Sequence, residues 1–128
     1  MKKILTLFLL LSTLSFYAQN EIKITPKKCL SKKGIHLRLK NVFDDSRCPE
    51  GVTCIWAGEV SVTIQVYNNK KFVEEKAMVF NAKNRAENLK WFEKYYQKKI
   101  KSIGVFPHPK DGVTIQPKKQ FVKIIFEN

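Results

Sequence analysis

Arginine is scarce in this chain of 128 residues, although the chain is strongly basic. Only 3 of its 24 basic residues are arginine, and the other 21 are lysine. Arginine recognises phosphate through paired hydrogen bonds, whereas lysine is a diffuse, strongly hydrated charge. Specific recognition of a nucleic acid is therefore not expected. The net charge of +13 predicts a loose attraction to acidic surfaces instead.

Histidine and cysteine are also scarce, which leaves little material for catalysis or metal binding. The chain has neither a Gly-x-Ser-x-Gly nucleophile motif nor a glycine-rich phosphate loop. The soft candidate metal ligands lack the Cys-x2-4-Cys spacing of structural zinc sites. They are Cys29, His36, Cys48, Cys54, Met78 and His108. The sequence thus predicts no enzyme, no metal and no cofactor, with a copper or zinc protein or a hydrolytic enzyme as a less favoured alternative.

Long apolar runs are absent beyond the first 18 residues. Lys2 and Lys3 precede an apolar run over residues 4–11, and small residues lead to Ala18, as in a secretory signal peptide. The run is shorter than the about 20 residues that a membrane span requires. We expect residues 1–18 to be removed before Gln19. The remaining protein is then exported, to the periplasm or outside a bacterial cell, without a transmembrane anchor.

Residues 19–128 contain no repeat, linker or low-complexity tract, and they predict a single exported β domain. Alternating polar and apolar residues predict strands over residues 21–25, 34–43 and 54–67. The third of these strands is followed by the turn formers Asn68-Asn69 and a return strand over residues 71–80, which predicts a hairpin.

The last third of the chain predicts one helix and further strands. Helical spacing of apolar residues favours a short helix over residues 85–95. Residues 98–106, 113–115 and 121–126 predict strands, the last of them central, and Pro107-His108-Pro109 predicts a stiff turn. With six to eight short strands, we expect a mainly β domain, either an antiparallel β-sandwich or a partly closed barrel.

A loop over residues 44–58 holds two of the three cysteines. Asp44, Asp45 and Ser46 are turn formers. Adjacent carboxylates on an extended chain point in opposite directions, so an ion pair with Arg47 is expected rather than a catalytic pair. Continuing the alternation of the following strand back through this loop places Trp56 on the core face.

Cysteines of exported proteins usually pair, and three cysteines allow three single bridges. We favour Cys48–Cys54, because the residues between them are turn formers that can bring the ends together. The chain-entropy model gives this seven-residue ring about 2.4 kcal/mol of stabilisation. Cys29 is then a buried thiol or links two chains, so the sequence leaves open a monomer or a Cys29-linked dimer.

The loop contains the motif Asp-Ser-Arg-Cys-Pro, four residues, Cys, one residue, Trp-Ala-Gly, from Asp45 to Gly58. It resembles a motif of an uncharacterised family of small secreted proteins and lipoproteins of bacteria. The resemblance implies export, a β fold and a structural role for Cys48, Cys54 and Trp56. Lipoproteins of that family carry an acylated cysteine after the signal peptide. This sequence lacks one there, so membrane anchoring is not implied.

The favoured function is non-catalytic binding of an acidic partner, which is an envelope glycan, a lipid headgroup or a protein. The disulfide preorganises the loop and lowers the ordering cost of binding. Within it, Asp45, Arg47 and Glu50 are the candidate contacts, and Pro49, Trp56 and Gly58 are expected to be structural. An alternative is a protease inhibitor that presents the Cys48–Cys54 loop as a substrate-like segment.

Overall fold

The structure, a computed structural model, describes residues 20–27 and 33–128. Within these residues, six strands form two three-stranded antiparallel sheets, with one α-helix and one short 3-10 helix. The elements are β1 (Glu21–Ile24), β2 (Ile35–Phe43), β3 (Val60–Asn68), β4 (Lys71–Phe80), α1 (Arg85–Tyr96), β5 (Ile100–Phe106), the 3-10 helix Pro117–Lys119 and β6 (Phe121–Phe126). The prediction of a mainly β antiparallel fold is confirmed, and the sheets do not close into a barrel. The predicted signal peptide and Cys29 lie outside the described residues.

The two sheets enclose the core. One has the order β2-β3-β4 and the other the order β1-β6-β5, so β3 and β6 are the central strands, and β6 was predicted to be central. Their inward side chains are almost fully buried because each is covered by a neighbouring strand on both sides and by the opposite sheet. The most buried of them are Val60, Val62, Ile64, Val66, Val122 and Ile124.

The predicted β3–β4 hairpin is confirmed, but its turn is Asn69-Lys70, one residue later than the predicted Asn68-Asn69. Asn69 and Lys70 both have left-handed backbone, with φ of 49° and 68°. This pair of angles suits the right-handed twist of two antiparallel strands joined by a two-residue turn. The Asn69 side chain also accepts a hydrogen bond from Gly34 N at 2.9 Å, which fastens the turn to the start of β2.

The predicted helix is confirmed, and it packs against the sheets through Phe92, which is 0% exposed. Gln97 ends the helix in a left-handed conformation and donates its backbone N–H to Glu93 O. The Glu93 side chain then accepts a hydrogen bond from Ile100 N, so the end of α1 fixes the start of β5.

One predicted strand does not form, and another begins later than predicted. Residues 113–115 form no strand and lead as a loop into the 3-10 helix. The strand predicted over residues 54–67 begins only at Val60, for reasons that lie in the preceding loop. Over residues 20–27 and 33–128, no helix is both long and apolar enough to cross a bilayer.

Candidate functional site

The loop between β2 and β3 is closed at its base by backbone hydrogen bonds. Ser46 N donates to Glu59 O at 2.8 Å, and Cys48 N donates to Ala57 O at 3.1 Å. The Ser46 hydroxyl accepts from Glu59 N at 3.1 Å. The two limbs of the loop therefore run side by side. Beyond them the predicted Cys48–Cys54 disulfide, which is confirmed, closes the end.

Gly58 allows the two limbs to approach so closely. It has a φ of +71°, and a Cβ built on it would lie 1.9 Å from the carbonyl oxygen of Ser46. No side chain fits that space, and the left-handed backbone independently favours glycine. The left-handed backbone of Gly58 also interrupts the extended chain before β3. The alternation of inward and outward side chains in β3 therefore does not continue back to Trp56.

Trp56 therefore points away from the core, and its predicted core-facing position is wrong. It is 71% exposed, and the neighbouring Ile55 is 95% exposed. Val52, on the other side of the disulfide, is 42% exposed. We refer to Val52, Ile55 and Trp56 as the loop tip.

Arg47 turns inward and fastens the loop to the end of β5. Its guanidinium donates to both carboxylate oxygens of Asp45, at 2.8 and 2.7 Å. An ion pair of Arg47 with one of the two aspartates was predicted, and the structure shows that it is Asp45. It also donates to the carbonyl oxygens of Val105 and Pro107. The Arg47 side chain therefore points into the molecule and not towards a partner, because it supplies hydrogen-bond donors to the backbone carbonyls at the end of β5.

The electrostatics of Asp45 reflect this arrangement. Partial burial tends to raise the pKa of Asp45, but the hydrogen bonds and the positive charge of Arg47 outweigh that effect. The pKa of Asp45 therefore lies below its usual value. Arg47 keeps the Asp45 carboxylate ionised and binds both of its oxygens, so this carboxylate is not available to a ligand.

The turn after β5 provides the second attachment of the loop. His108 Nε2 lies 2.8 Å from Cys48 O and must carry the hydrogen, because a carbonyl only accepts. Glu50 N donates to Pro109 O at 2.8 Å, and the Glu50 carboxylate pairs with Lys110 at 3.5 Å. Both candidate contacts Asp45 and Glu50 are therefore engaged within the molecule.

A cleft of about 300 Å³ opens beside Arg47, where β3 begins, β4 ends and α1 starts. In the described part of the chain, apolar residues form most of its lining: Val60, Phe80, Ala82, Ile103, Gly104, Val105 and Phe106. The polar part of the lining is Arg47, Asn81, Arg85, Asn88 and His108. The lining brings together residues far apart in sequence, and of these only Arg47 was a predicted contact.

Arg85 is the cation of this cleft that is available to a ligand. It is exposed at the first turn of α1 and forms no ion pair with any other described residue. Arg47, by contrast, is already paired with Asp45. Asn88 is 4% exposed and donates to Val79 O at 2.8 Å, which fixes the wall of the cleft to β4. The only sequence signal for Arg85 is that it is one of three arginines.

The candidate metal ligands do not gather in the structure. Met78 lies in the core, His36 lies on β2, and Cys48 and Cys54 are bonded to each other. Throughout residues 20–27 and 33–128, no three His, Cys, Asp or Glu side chains form a group that could hold a metal ion. Cys29 lies outside this part of the chain.

Comparisons of the chain with protein-family models, with curated proteins and with solved structures found no significant match.

Proposed function

We propose that the protein is a non-catalytic binding domain that takes a small acidic, partly apolar ligand into the cleft beside Arg47. The observation that carries the proposal is the unpaired Arg85 at the mouth of an apolar cleft. Apolar clefts with a few convergent polar groups are the usual form of small-ligand sites, and a volume of about 300 Å³ lies at the small end of their range.

The apolar walls select the body of the ligand. Val60 and Phe80 come from one sheet, and Ile103 and Val105 from the other, so a flexible chain can lie between the ends of the two sheets. Each methylene group transferred from water to such a surface contributes about 0.8 kcal/mol when fully buried. A straight acyl chain is the simplest ligand with this property.

Arg85 selects the acidic end of the ligand. A guanidinium binds a carboxylate or phosphate through two parallel hydrogen bonds, and no carboxylate of the described residues already occupies it. Arg47 also lines the cleft and adds positive charge, although its pairing with Asp45 reduces that contribution. The net charge, which falls from +13 to +11 once Lys2 and Lys3 are removed with the signal peptide, further favours an anion over a neutral ligand of the same shape.

The composition of the lining supports binding rather than catalysis. Among the described residues that line the cleft there is no hydroxyl, thiol or carboxylate side chain to act as a nucleophile or general acid. His108 lines the cleft and its Nε2 donates to Cys48 O, which holds the turn in place, but the described lining holds no hydroxyl or thiol that His108 could deprotonate. The disulfide loop serves this site as a wall, through Arg47, and not as the contact surface.

Export to an oxidising compartment is part of the proposal, and the Cys48–Cys54 disulfide supports it, since such bonds persist mainly outside the cytosol. The protease-inhibitor alternative gains less support. Val52 N donates to Pro49 O at 3.3 Å, so this part of the loop is a turn and not the extended segment that a substrate-like loop requires.

Isothermal titration calorimetry with octanoate and with 1-octanol tests the proposal, because the two probes share an alkyl chain and differ in charge. We expect octanoate to bind with a dissociation constant on the order of 0.1–1 mM, as befits a ligand of this size. Octanol should bind more weakly. Arg85→Gln should weaken octanoate binding by about tenfold and leave octanol binding nearly unchanged.

Lys90→Gln is the matched control, since it removes one positive charge from the same helix without touching the cleft. It should leave octanoate binding within about twofold of the native chain. Equal affinity for the two probes, or equal losses in Arg85→Gln and Lys90→Gln, would contradict the proposal.

A further inference from the structure

The loop tip is an exposed apolar surface that the cleft does not use. Ile55 and Trp56 are 95% and 71% exposed, and Val52 is 42% exposed. Single exposed apolar residues are common, but an exposed Trp and Ile next to each other on a pinned loop are not explained by packing. Their exposure requires an account of what they contact.

The loop tip is held rigidly in this exposed position. The disulfide closes it, the hydrogen bonds of Ser46 and Cys48 join its limbs, and Arg47 and His108 fasten its base to the end of β5. An anchor that is already ordered loses little conformational entropy on binding. An exposed Trp contributes little burial to the stability of the fold, so the stability of the loop does not explain its presence.

The loop tip also carries no ionised side chain. Residues 51–58 contain no Asp, Glu, Lys or Arg. The two carboxylates that flank this segment lie at its ends: Glu50 pairs with Lys110, and Glu59 accepts a hydrogen bond from the Asn81 side chain at 2.9 Å at the base of the loop. The loop tip can therefore enter a medium of low dielectric constant without carrying an unpaired charge into it.

We infer that the loop tip docks into the interface of a lipid bilayer that contains anionic lipids. Trp is the side chain that most favours the boundary between headgroups and acyl chains, and Ile supplies apolar area below it. The net charge, which falls from +13 to +11 once Lys2 and Lys3 are removed with the signal peptide, attracts the molecule to an anionic leaflet, where each basic residue close to the surface contributes to binding.

This role goes beyond the proposed ligand site. The residues of the loop tip do not line the cleft, whereas the same loop supplies Arg47 to it. A chain docked in this way would hold the cleft close to a membrane, which is a source of acyl ligands. Removal of the loop tip should therefore abolish docking while octanoate binding persists.

Co-sedimentation with vesicles tests the inference. The native chain should bind vesicles of equal parts phosphatidylglycerol and phosphatidylcholine, and bind phosphatidylcholine vesicles much more weakly. The double variant Ile55→Ser, Trp56→Ser should partition into the mixed vesicles roughly tenfold less well. In a Trp91→Phe background, the emission of Trp56 should shift to shorter wavelength on binding; if that background fails to fold, co-sedimentation of the native chain and the double variant decides.

Phe72→Ser is the matched control. Phe72 is 56% exposed but pairs with Tyr67 at the hairpin end of β3, opposite the end where the loop enters at Val60. This variant should bind the mixed vesicles as the native chain does, within about twofold. The inference is overturned if the native chain does not bind, if it binds both vesicle types equally, or if the loop-tip variant binds as well as the native chain.

Discussion

At the scale of single residues, Gly58 decides whether the loop can close. Its φ of +71° and the 1.9 Å that would separate a Cβ from Ser46 O mean that Gly58→Ala must push the two limbs apart. We expect a loss of unfolding free energy of about 3 kcal/mol, since strained left-handed backbone and a backbone clash add. Urea denaturation measures it.

Gly51 provides the control for this prediction. It also has left-handed backbone, with a φ of +82°, but a Cβ there would meet no atom of the described residues within 4 Å. Gly51→Ala should therefore lose only about 1 kcal/mol, the cost of the backbone conformation alone. Similar losses in the two variants would show that the close approach of the limbs is not what requires Gly58.

Asp45 contributes to the stability of the fold, and this contribution decreases as the pH falls. Burial opposes its ionisation, but Arg47 holds the pKa of Asp45 below its usual value in the folded chain. The ion pair is therefore fully present above the unfolded pKa of about 3.9, and it is lost as the pH falls through the lower folded value. The native chain should lose stability more steeply below about pH 4 than Asp45→Asn does.

Urea denaturation at a series of pH values checks this. Asp44→Asn is the matched control, because Asp44 forms no ion pair within the described residues. It should keep the steep acid limb of the native chain, and Asp45→Asn should flatten it. An unchanged acid limb in Asp45→Asn would mean that the pair with Arg47 contributes nothing to stability.

At the scale of elements, local signals predicted the fold well. The β3–β4 hairpin and α1 appeared where the turn formers and the helical spacing placed them, because both elements are determined by residues close in sequence. The Cys48–Cys54 bridge, and a pair of Arg47 with one of the two preceding aspartates, were predicted for the same reason, since the bonded residues are six and two positions apart.

The errors came from features that depend on distant residues. The alternation of apolar residues runs unbroken from Cys54 to Val66 in sequence, yet the pairing of residues 46–48 with 57–59 removes Trp56 from the sheet. The sequence could not place Arg47 either, because its partners Val105 and Pro107 lie about 60 residues away. The cleft forms where segments far apart in sequence come together, and it was not predicted.

At the scale of the whole molecule, one loop connects the two proposed surfaces. Its base supplies Arg47 to the cleft, and its end exposes Ile55 and Trp56. The basic charge is spread over lysines and can act on both an acidic ligand and an anionic surface. The arrangement fits a protein that meets its ligand at a lipid surface.

The central claim is that an acidic ligand occupies the cleft, and amide chemical shifts of the labelled chain during an octanoate titration test it most directly. The account predicts saturable shifts that concentrate at residues 80–88 and 103–108, which form the mouth and wall of the cleft. Octanol at the same concentrations should produce smaller shifts. Shifts concentrated at the loop tip, or spread evenly over the lysines without saturation, would contradict the account.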